Sequence, residues 1–224
     1  AAAQASLATV KDDVTYDGIA AIAASKSQSA VDVFVYDTSL DSDGGAWRKR
    51  CQHTSWFNEE LNTATRGSRR EFPAVAVIVA ETNKVTIFDG DDPALPMWLS
   101  TQGTGSSNSP IYQYSFWTPS LGTHPVTSVV AKDGKLFFGV SSGSNHPKNG
   151  LCYIDFVKDD LGRMFYNDAC GGYGSPVAAR NVIQNLPSRN KTFITASTVN
   201  DIAMTVLPDA PVDPDTGLPV PTIA

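Results

Sequence analysis

The chain has 224 residues, enough for one large β domain or two small ones, and its apolar fraction of 42% is typical of a folded protein. Only 18% of the residues are charged, while 17 glycines and 14 prolines interrupt the chain, a composition that favours short strands and turns over helices. The net charge of −6 argues against a nucleic-acid-binding protein, and no apolar run has the length needed for membrane insertion.

The first 30 residues are rich in alanine and serine, and this composition predicts an N-terminal arm or linker, either helical or extended. Residues 31–224 then form the second predicted unit, a mainly β domain. Because the chain does not begin with methionine and its strand pattern restarts at its end, we expect it to be part of a longer polypeptide that continues beyond Ala224.

Apolar and polar residues alternate with a period of two from Val31 onward, which predicts strands. The segments "PAVAVIVA" (73–80) and "VTIFD" (85–89) form one predicted hairpin, and "HPVTSVVA" (124–131) with "LFFGVSS" (136–142) forms a second across an Asp-Gly turn. The final residues, "LPVPTIA" (218–224), begin the same pattern again.

A second series accompanies the hairpins: an aspartate ends each of three strands, and a large aromatic residue follows 9 or 10 positions later. The pairs are Asp37 with Trp47, Asp89 with Trp98, and Asp155 with Phe165. Repeats of roughly 50 residues with about four strands each are typical of β-propeller blades. We therefore predict about three visible blade-like units, with each aspartate bonded to its own turn and each aromatic ring packed between blades.

Basic residues cluster between positions 47 and 71, where six of them outnumber three acids for a local charge of +3. One interpretation is internal pairing with the protein's own carboxylates. The other is a contact with a neighbouring subunit, for which the candidate residues are Arg48, Lys49, Arg50, Arg66, Arg69 and Arg70.

The three cysteines, Cys51, Cys152 and Cys170, are too widely spaced for a zinc site and favour buried thiols, with a Cys152–Cys170 bridge as the alternative. Two aspartate-rich turns, "DSDGG" (41–45) and "DPDTG" (213–217), have the spacing of a calcium site but lack its downstream glutamate. We interpret them as turns in which the aspartate side chain accepts a bond from a nearby amide, and we predict no metal and no cofactor.

Sequence motifs for catalysis are absent, so no catalytic residue is predicted. Adjacent carboxylates occur at Glu59–Glu60, Asp91–Asp92 and Asp159–Asp160, and paired carboxylates are the machinery of glycoside hydrolases. Neighbours in sequence point to opposite faces of a strand, and these pairs stand in predicted turns, so a catalytic role is the weaker interpretation.

Two stretches, residues 36–81 and "VTIFDGDDPALPMW" (85–98), resemble virion structural proteins of tailed bacteriophages of marine bacteria. That family comprises tail-fibre and tail-associated proteins with propeller-like repeats. The resemblance implies a non-enzymatic, homo-oligomeric virion protein that contacts other tail proteins and a host surface glycan or receptor. The alternatives are a propeller-type enzyme acting on host polysaccharide and a cellular β-propeller interaction scaffold.

Overall fold

In the computed structural model, the described residues are 30–102, 126–140, 150–166, 175–181, 193–194 and 199–224. Residues 1–29 of the predicted N-terminal arm and Cys170 lie outside them. The described strands, in chain order, are β1 (Ala30–Asp37), β2 (Val75–Glu81), β3 (Lys84–Asp89), β4 (Met97–Gln102), β5 (Val126–Lys132), β6 (Lys135–Val140), β7 (Gly150–Asp155), β8 (Asp160–Tyr166), β9 (Phe193–Ile194), β10 (Met204–Thr205) and β11 (Thr222–Ile223).

Helical structure in the described residues is limited to three short 3₁₀ helices, at Thr38–Leu40, Ala46–His53 and Val177–Ala179. The first two belong to the long segment between β1 and β2, residues 38–74, which we call the connector. The predicted mainly β architecture is therefore confirmed, and the change to a period of two at Val31 marks β1 to within one residue.

The strands form two main sheets, each built in chain order. The first sheet has four antiparallel strands in the order β1-β2-β3-β4. The second has the order β5-β6-β7-β8-β9, in which the first four strands are antiparallel and the two-residue β9 joins β8 in parallel. Both predicted hairpins are present, as β2–β3 and β5–β6, with residue-by-residue registers such as Ile78 opposite Ile87 and Val129 opposite Phe138.

The two sheets pack against each other through one continuous apolar core. Alternate residues of β2 (Ala76, Ile78, Ala80) and of β6 (Leu136, Phe138, Val140) belong to this core. Contacts between the sheets also include a hydrogen bond from the Val129 amide in β5 to the Asp32 carboxylate in β1, at 2.8 Å. The alternation in each strand thus places one set of side chains between the sheets.

The second sheet is buried on both faces. Its other face carries Val130, Phe137 and Leu151, which pack with Ile202 of the C-terminal segment, residues 199–224. Within that segment β10 pairs with β11, the short strand that replaces the predicted restart at 218–224. Burial on both faces explains why the second sheet contains near-continuous apolar runs.

Other backbone segments of the chain bond to β4 of the first sheet and to β8 of the second. Beside β4, Gly67 donates to the Trp98 carbonyl and Ser100 donates to the Thr65 carbonyl, both at 2.9 Å. Beside β8, the Leu161 amide donates to the carbonyl of Ser175 at 3.1 Å. The backbone groups in these bonds are therefore not free to pair with another chain.

Candidate functional site

The connector joins the two sheets through two aspartates that stand in hairpin turns of the second sheet. In the β5–β6 turn, the Asp133 carboxylate accepts bonds from the amide of Ser42 at 2.7 Å and from its hydroxyl at 2.9 Å. In the β7–β8 turn, Asp159 accepts from the amide of Ser55 at 2.8 Å and from its hydroxyl at 2.7 Å. Each serine therefore binds its aspartate through two donors, and we call these contacts the two serine clasps.

The turn geometry that supports the clasps follows from the residue types. Asp133 and Asp159 both have positive φ, at 50° and 55°, a region that aspartate tolerates better than most residues. Gly134, at φ 72°, completes the Asp-Gly turn. A Cβ atom at Gly134 would lie 2.6 Å from Val157 and 3.2 Å from Trp47, so the turn packs tightly against the connector.

A buried polar network lies beside the first clasp and is centred on Asp41. Its carboxylate accepts from the hydroxyl of Tyr36 at 2.5 Å, the indole of Trp47 at 2.7 Å and the amide of Asp133 at 2.8 Å. The Tyr36 oxygen in turn accepts from the Gly134 amide at 2.8 Å. Burial raises the pKa of Asp41, and burial together with the Asp41 charge raises the pKa of Tyr36.

Aromatic side chains fill the core beneath the connector. The ring of Phe72 lies 5.0 Å from Trp47, 4.7 Å from Trp98 and 5.0 Å from Phe156, between ring centroids and in tilted or edge-to-face geometry. Trp56 contacts Trp98 at 5.5 Å and donates its indole hydrogen to the Phe156 carbonyl at 2.8 Å. The two tryptophans predicted to pack between blades, Trp47 and Trp98, both lie in this cluster, which the two sheets share.

The three strand-ending aspartates each bond to the amide two residues further on, which confirms the predicted turn role. The distances are 2.9 Å at Asp37, 3.1 Å at Asp89 and 3.1 Å at Asp155. Their assignment to one aspartate per unit is wrong, because Asp37 and Asp89 end β1 and β3 of the same sheet, whereas Asp155 ends β7 of the other. Asp89 and Asp155 are the topological equivalents, each ending a third strand. The side chain of Phe165 lies outside the described residues.

Arg66, one of the six candidate subunit contacts, is buried and therefore does not lie on a contact surface. Its guanidinium donates to the carbonyls of Arg69, Trp98 and Arg70 at 2.7, 2.8 and 2.8 Å. It also lies 4.5 Å from the centre of the Trp98 ring and within 3.6 Å of Glu59. Burial lowers its pKa to about 10. The prediction failed at this residue because a run of basic residues in a sequence does not reveal which of them folds inward.

Glu59 binds a second buried arginine that the sequence analysis did not single out. Arg180 donates to Glu59 at 2.6 Å, to the Ser100 carbonyl at 3.0 Å and to the Thr65 carbonyl at 3.0 Å. Burial lowers the pKa of Arg180. Glu59 and its two arginines therefore form an internal cluster with a structural role. No motif near Arg180 indicates this cluster in the sequence.

The remaining basic residues differ in exposure and partners. Arg69 is half-buried and pairs with Asp89 at 2.8 Å and Asp91 at 2.6 Å, and Arg50 pairs with Asp43 at 3.0 Å. Burial would lower the pKa of Arg69, but its two carboxylate partners outweigh that effect and raise it. Among the described residues, no carboxylate pairs with the other three basic groups: Arg48 donates to the Phe72 carbonyl, Arg70 donates to the Phe57 carbonyl, and Lys49 is exposed. Internal pairing is therefore confirmed for Arg50 and Arg69, whereas contact with a neighbouring subunit stays a prediction for Arg48, Lys49 and Arg70.

The adjacent carboxylates do not act as pairs in the described structure. Glu59 belongs to the arginine cluster, and Asp91 accepts from the Ala74 and Val75 amides as well as from Arg69. Those bonds outweigh the effect of burial and lower the pKa of Asp91. Asp159 is engaged by Ser55. The other members of the last two pairs are also bonded, Asp92 to the Ala94 amide at 2.8 Å and Asp160 to the Tyr153 hydroxyl at 3.0 Å.

A polar cleft of about 600 Å³ opens beside the second clasp, between the connector, the β7–β8 turn and the C-terminal segment. The ammonium of Lys158 bridges Asp213 at 2.6 Å and Asp215 at 3.1 Å across it. These bonds outweigh burial and raise the pKa of Lys158. The lining residues are His53, Val157, Lys158, Asp159, Asp160, Ser175, Pro176 and Asp215.

In both aspartate-rich turns, an aspartate carboxylate accepts hydrogen bonds from within the protein. In the second, the Asp213 carboxylate accepts from the Asp215 amide at 3.0 Å, as predicted for an aspartate turn. In the first, Asp41 is bonded within the buried network. Among the described residues, no three His, Cys, Asp or Glu side chains are grouped so that they could share a metal ion.

Cys51 and Cys152 are buried, and burial raises the pKa of the Cys51 thiol to about 12.

Comparison with known proteins gives no relative: no family model, curated protein or solved structure matches the chain. In the described parts of the chain, no helix is both long and apolar enough to cross a membrane.

Proposed function

We propose that the chain is a non-enzymatic structural component of a phage tail or tail fibre. In this proposal the two sheets are neighbouring blades of a β-propeller-like domain, and residues 1–30 dock it to the virion. Other tail proteins and further copies of the chain are its partners, and a host surface glycan or receptor is its target.

The observation that carries the proposal is the stacking of two sheets on a shared core: the first has four antiparallel strands in chain order, and the second begins with four antiparallel strands in chain order, which the short β9 extends. Propeller blades have this strand order and must stack because a single blade cannot bury both of its faces. The engagement of Glu59, Asp91 and Asp159 in internal bonds also favours a structural over a catalytic role.

The test is electron microscopy of purified virions labelled with an antibody against this chain. We expect label at the tail or its fibres. Virions that carry no label, while the same antibody detects the isolated chain, would end the proposal.

A second candidate is a glycan-active enzyme, which the carboxylate-lined cleft favours. The lining carboxylates outside the serine clasp are Asp160, which accepts from the Tyr153 hydroxyl at 3.0 Å, and Asp215, which pairs with Lys158 at 3.1 Å. Release of reducing sugar from host polysaccharide, abolished by Asp160→Asn or Asp215→Asn, would establish this activity in place of the structural role.

A further inference from the structure

A lysine and an aspartate face each other across the hairpin of β6 and β7, where both side chains are largely buried. Lys135 stands directly opposite Asp155 in the register of the two strands. Their side chains are 12% and 6% exposed, and the Lys135 nitrogen lies 3.2 Å from Asp155 Oδ2. Although this is ion-pair distance, the nitrogen makes no hydrogen bond among the described residues. The lysine thus lies beside the carboxyl group and, in this part of the chain, is not bonded to another acceptor.

Backbone amides hold the other oxygen of the Asp155 side chain. Asp155 Oδ1 accepts from the Val157 amide at 3.1 Å and from the Lys158 amide at 2.9 Å. Two amides aimed at one oxygen resemble an oxyanion hole, because they polarise the carboxyl group and stabilise negative charge that develops on that oxygen. Oδ2 lies beside the lysine instead. The carboxyl carbon is therefore activated on the side where an amine is already in place.

The first sheet lacks this combination at the equivalent position. Asp89 ends the third strand there, as Asp155 does in the second sheet. It faces Ala76 across its hairpin and pairs with Arg69. A guanidinium stays protonated in proteins and is not a nucleophile, whereas a lysine ammonium becomes a nucleophilic amine when it loses a proton. Lys135 is thus specific to the second sheet and differs from Arg69 in its chemistry.

We propose that Lys135 and Asp155 condense to an isopeptide bond, which links β6 covalently to β7. The ammonium passes one proton to Oδ2, and the neutral amine then attacks the carboxyl carbon Cγ while the two amides stabilise the negative charge on Oδ1. When the Cγ–Oδ2 bond breaks, the oxygen leaves as water with that proton and a second proton from the nitrogen. The reaction joins Nζ to Cγ and releases one water molecule, and it needs no oxidant or other reactant.

Burial favours the amide over the ion pair. Two charges held away from water carry a desolvation cost that their attraction repays only in good geometry, whereas an amide is neutral. The Lys135 nitrogen is not in hydrogen-bond geometry, so the ion pair lacks that compensation. This cross-link goes beyond the virion role, because the folded chain can form it without any other virion component.

Mass spectrometry of the intact, denatured chain tests the proposal. We expect a mass lower than that of the sequence by one water molecule, and a digest in which the peptide with Lys135 is joined to the peptide with Asp155. Lys135→Arg keeps the positive charge but removes the amine, so it should restore the full mass. The matched control is Lys84→Arg. Lys84 pairs with Glu81 at 2.6 Å but is 35% exposed, so this variant should keep the lower mass.

Two results would overturn the proposal. A wild-type chain with the full mass of its sequence shows that no water has been lost, whatever the stability of the variants. A lower mass that persists in Lys135→Arg shows that the water was lost elsewhere in the chain. Antibody labelling of virions decides the tail assignment separately, since neither mass depends on where the protein is located.

Discussion

Replacement of Arg66 by methionine should destabilise the protein strongly, because the charged group is buried and its bonds are internal. Three charge-assisted bonds to carbonyls, each worth about 1.5–3 kcal/mol, would be lost. Two contacts that remain in the variant make the net loss of stability smaller. The Trp98 carbonyl still accepts from the Gly67 amide, and Glu59 still pairs with Arg180. Removing the buried guanidinium also removes its desolvation cost, so we expect a net loss of about 3–5 kcal/mol.

Urea unfolding followed by tryptophan fluorescence measures this loss. With a slope of at most about 3 kcal/mol per molar urea, the midpoint should fall by about 1 M or more. The matched control is Arg70→Met, because Arg70 is exposed and its guanidinium stacks over Phe57 at 5.8 Å, an arrangement worth about 0.5–1 kcal/mol. If the two variants have equal midpoints, Arg66 does not have the internal role described above.

Three further perturbations test the turns, the clasps and the charges. Gly134→Ala should lower the free energy of unfolding in urea by about 2 kcal/mol more than Gly44→Ala does. Both glycines have positive φ, but of the two only Gly134 lacks space for a Cβ atom. Equal losses of stability in the two variants would refute the tight contact at Gly134. Ser55→Ala should cost about 1–2 kcal/mol by removing the hydroxyl bonds to Asp159 and the Ala178 amide, and a loss below about 0.3 kcal/mol would contradict the second clasp. Asp91→Asn should destabilise the protein at pH 7 and much less at pH 2. The folded pKa of Asp91 is depressed, so its stabilisation is present above the unfolded value near 4 and is lost as the pH falls through the folded value. If the loss of stability in Asp91→Asn is the same at pH 7 and pH 2, the Asp91 charge does not stabilise the folded protein as described.

Local patterns in the sequence predicted the strands and the tight turn well. Apolar alternation identified β1, both hairpins and the Asp-Gly turn, because strand periodicity and positive φ are properties of a few neighbouring residues. The same pattern could not show which strands share a sheet. The hairpins occupy different positions, as strands two and three of the first sheet and strands one and two of the second.

The serine clasps lay beyond sequence reasoning for a physical reason. Ser42 and Asp133 are 91 positions apart, and Ser55 and Asp159 are 104 apart. Neither serine belongs to a motif, because its role depends on where the connector passes over the second sheet. The aspartates could be predicted as turn residues. Their hydrogen-bond donors, Ser42 and Ser55, could not, because only the tertiary structure brings these serines to the turns.

Arg66 and Lys49 show how one basic run is divided between interior and surface. Arg66 lies beside β4, where the Arg69, Arg70 and Trp98 carbonyls can accept from it, and a planar guanidinium can satisfy several acceptors at once. Lys49 lies on the short 3₁₀ helix with its side chain exposed. Since both residues add one positive charge to the same segment, net charge cannot separate them. The positions of the backbone acceptors decide that Arg66 stabilises the fold from inside, while Lys49 stays exposed at the surface.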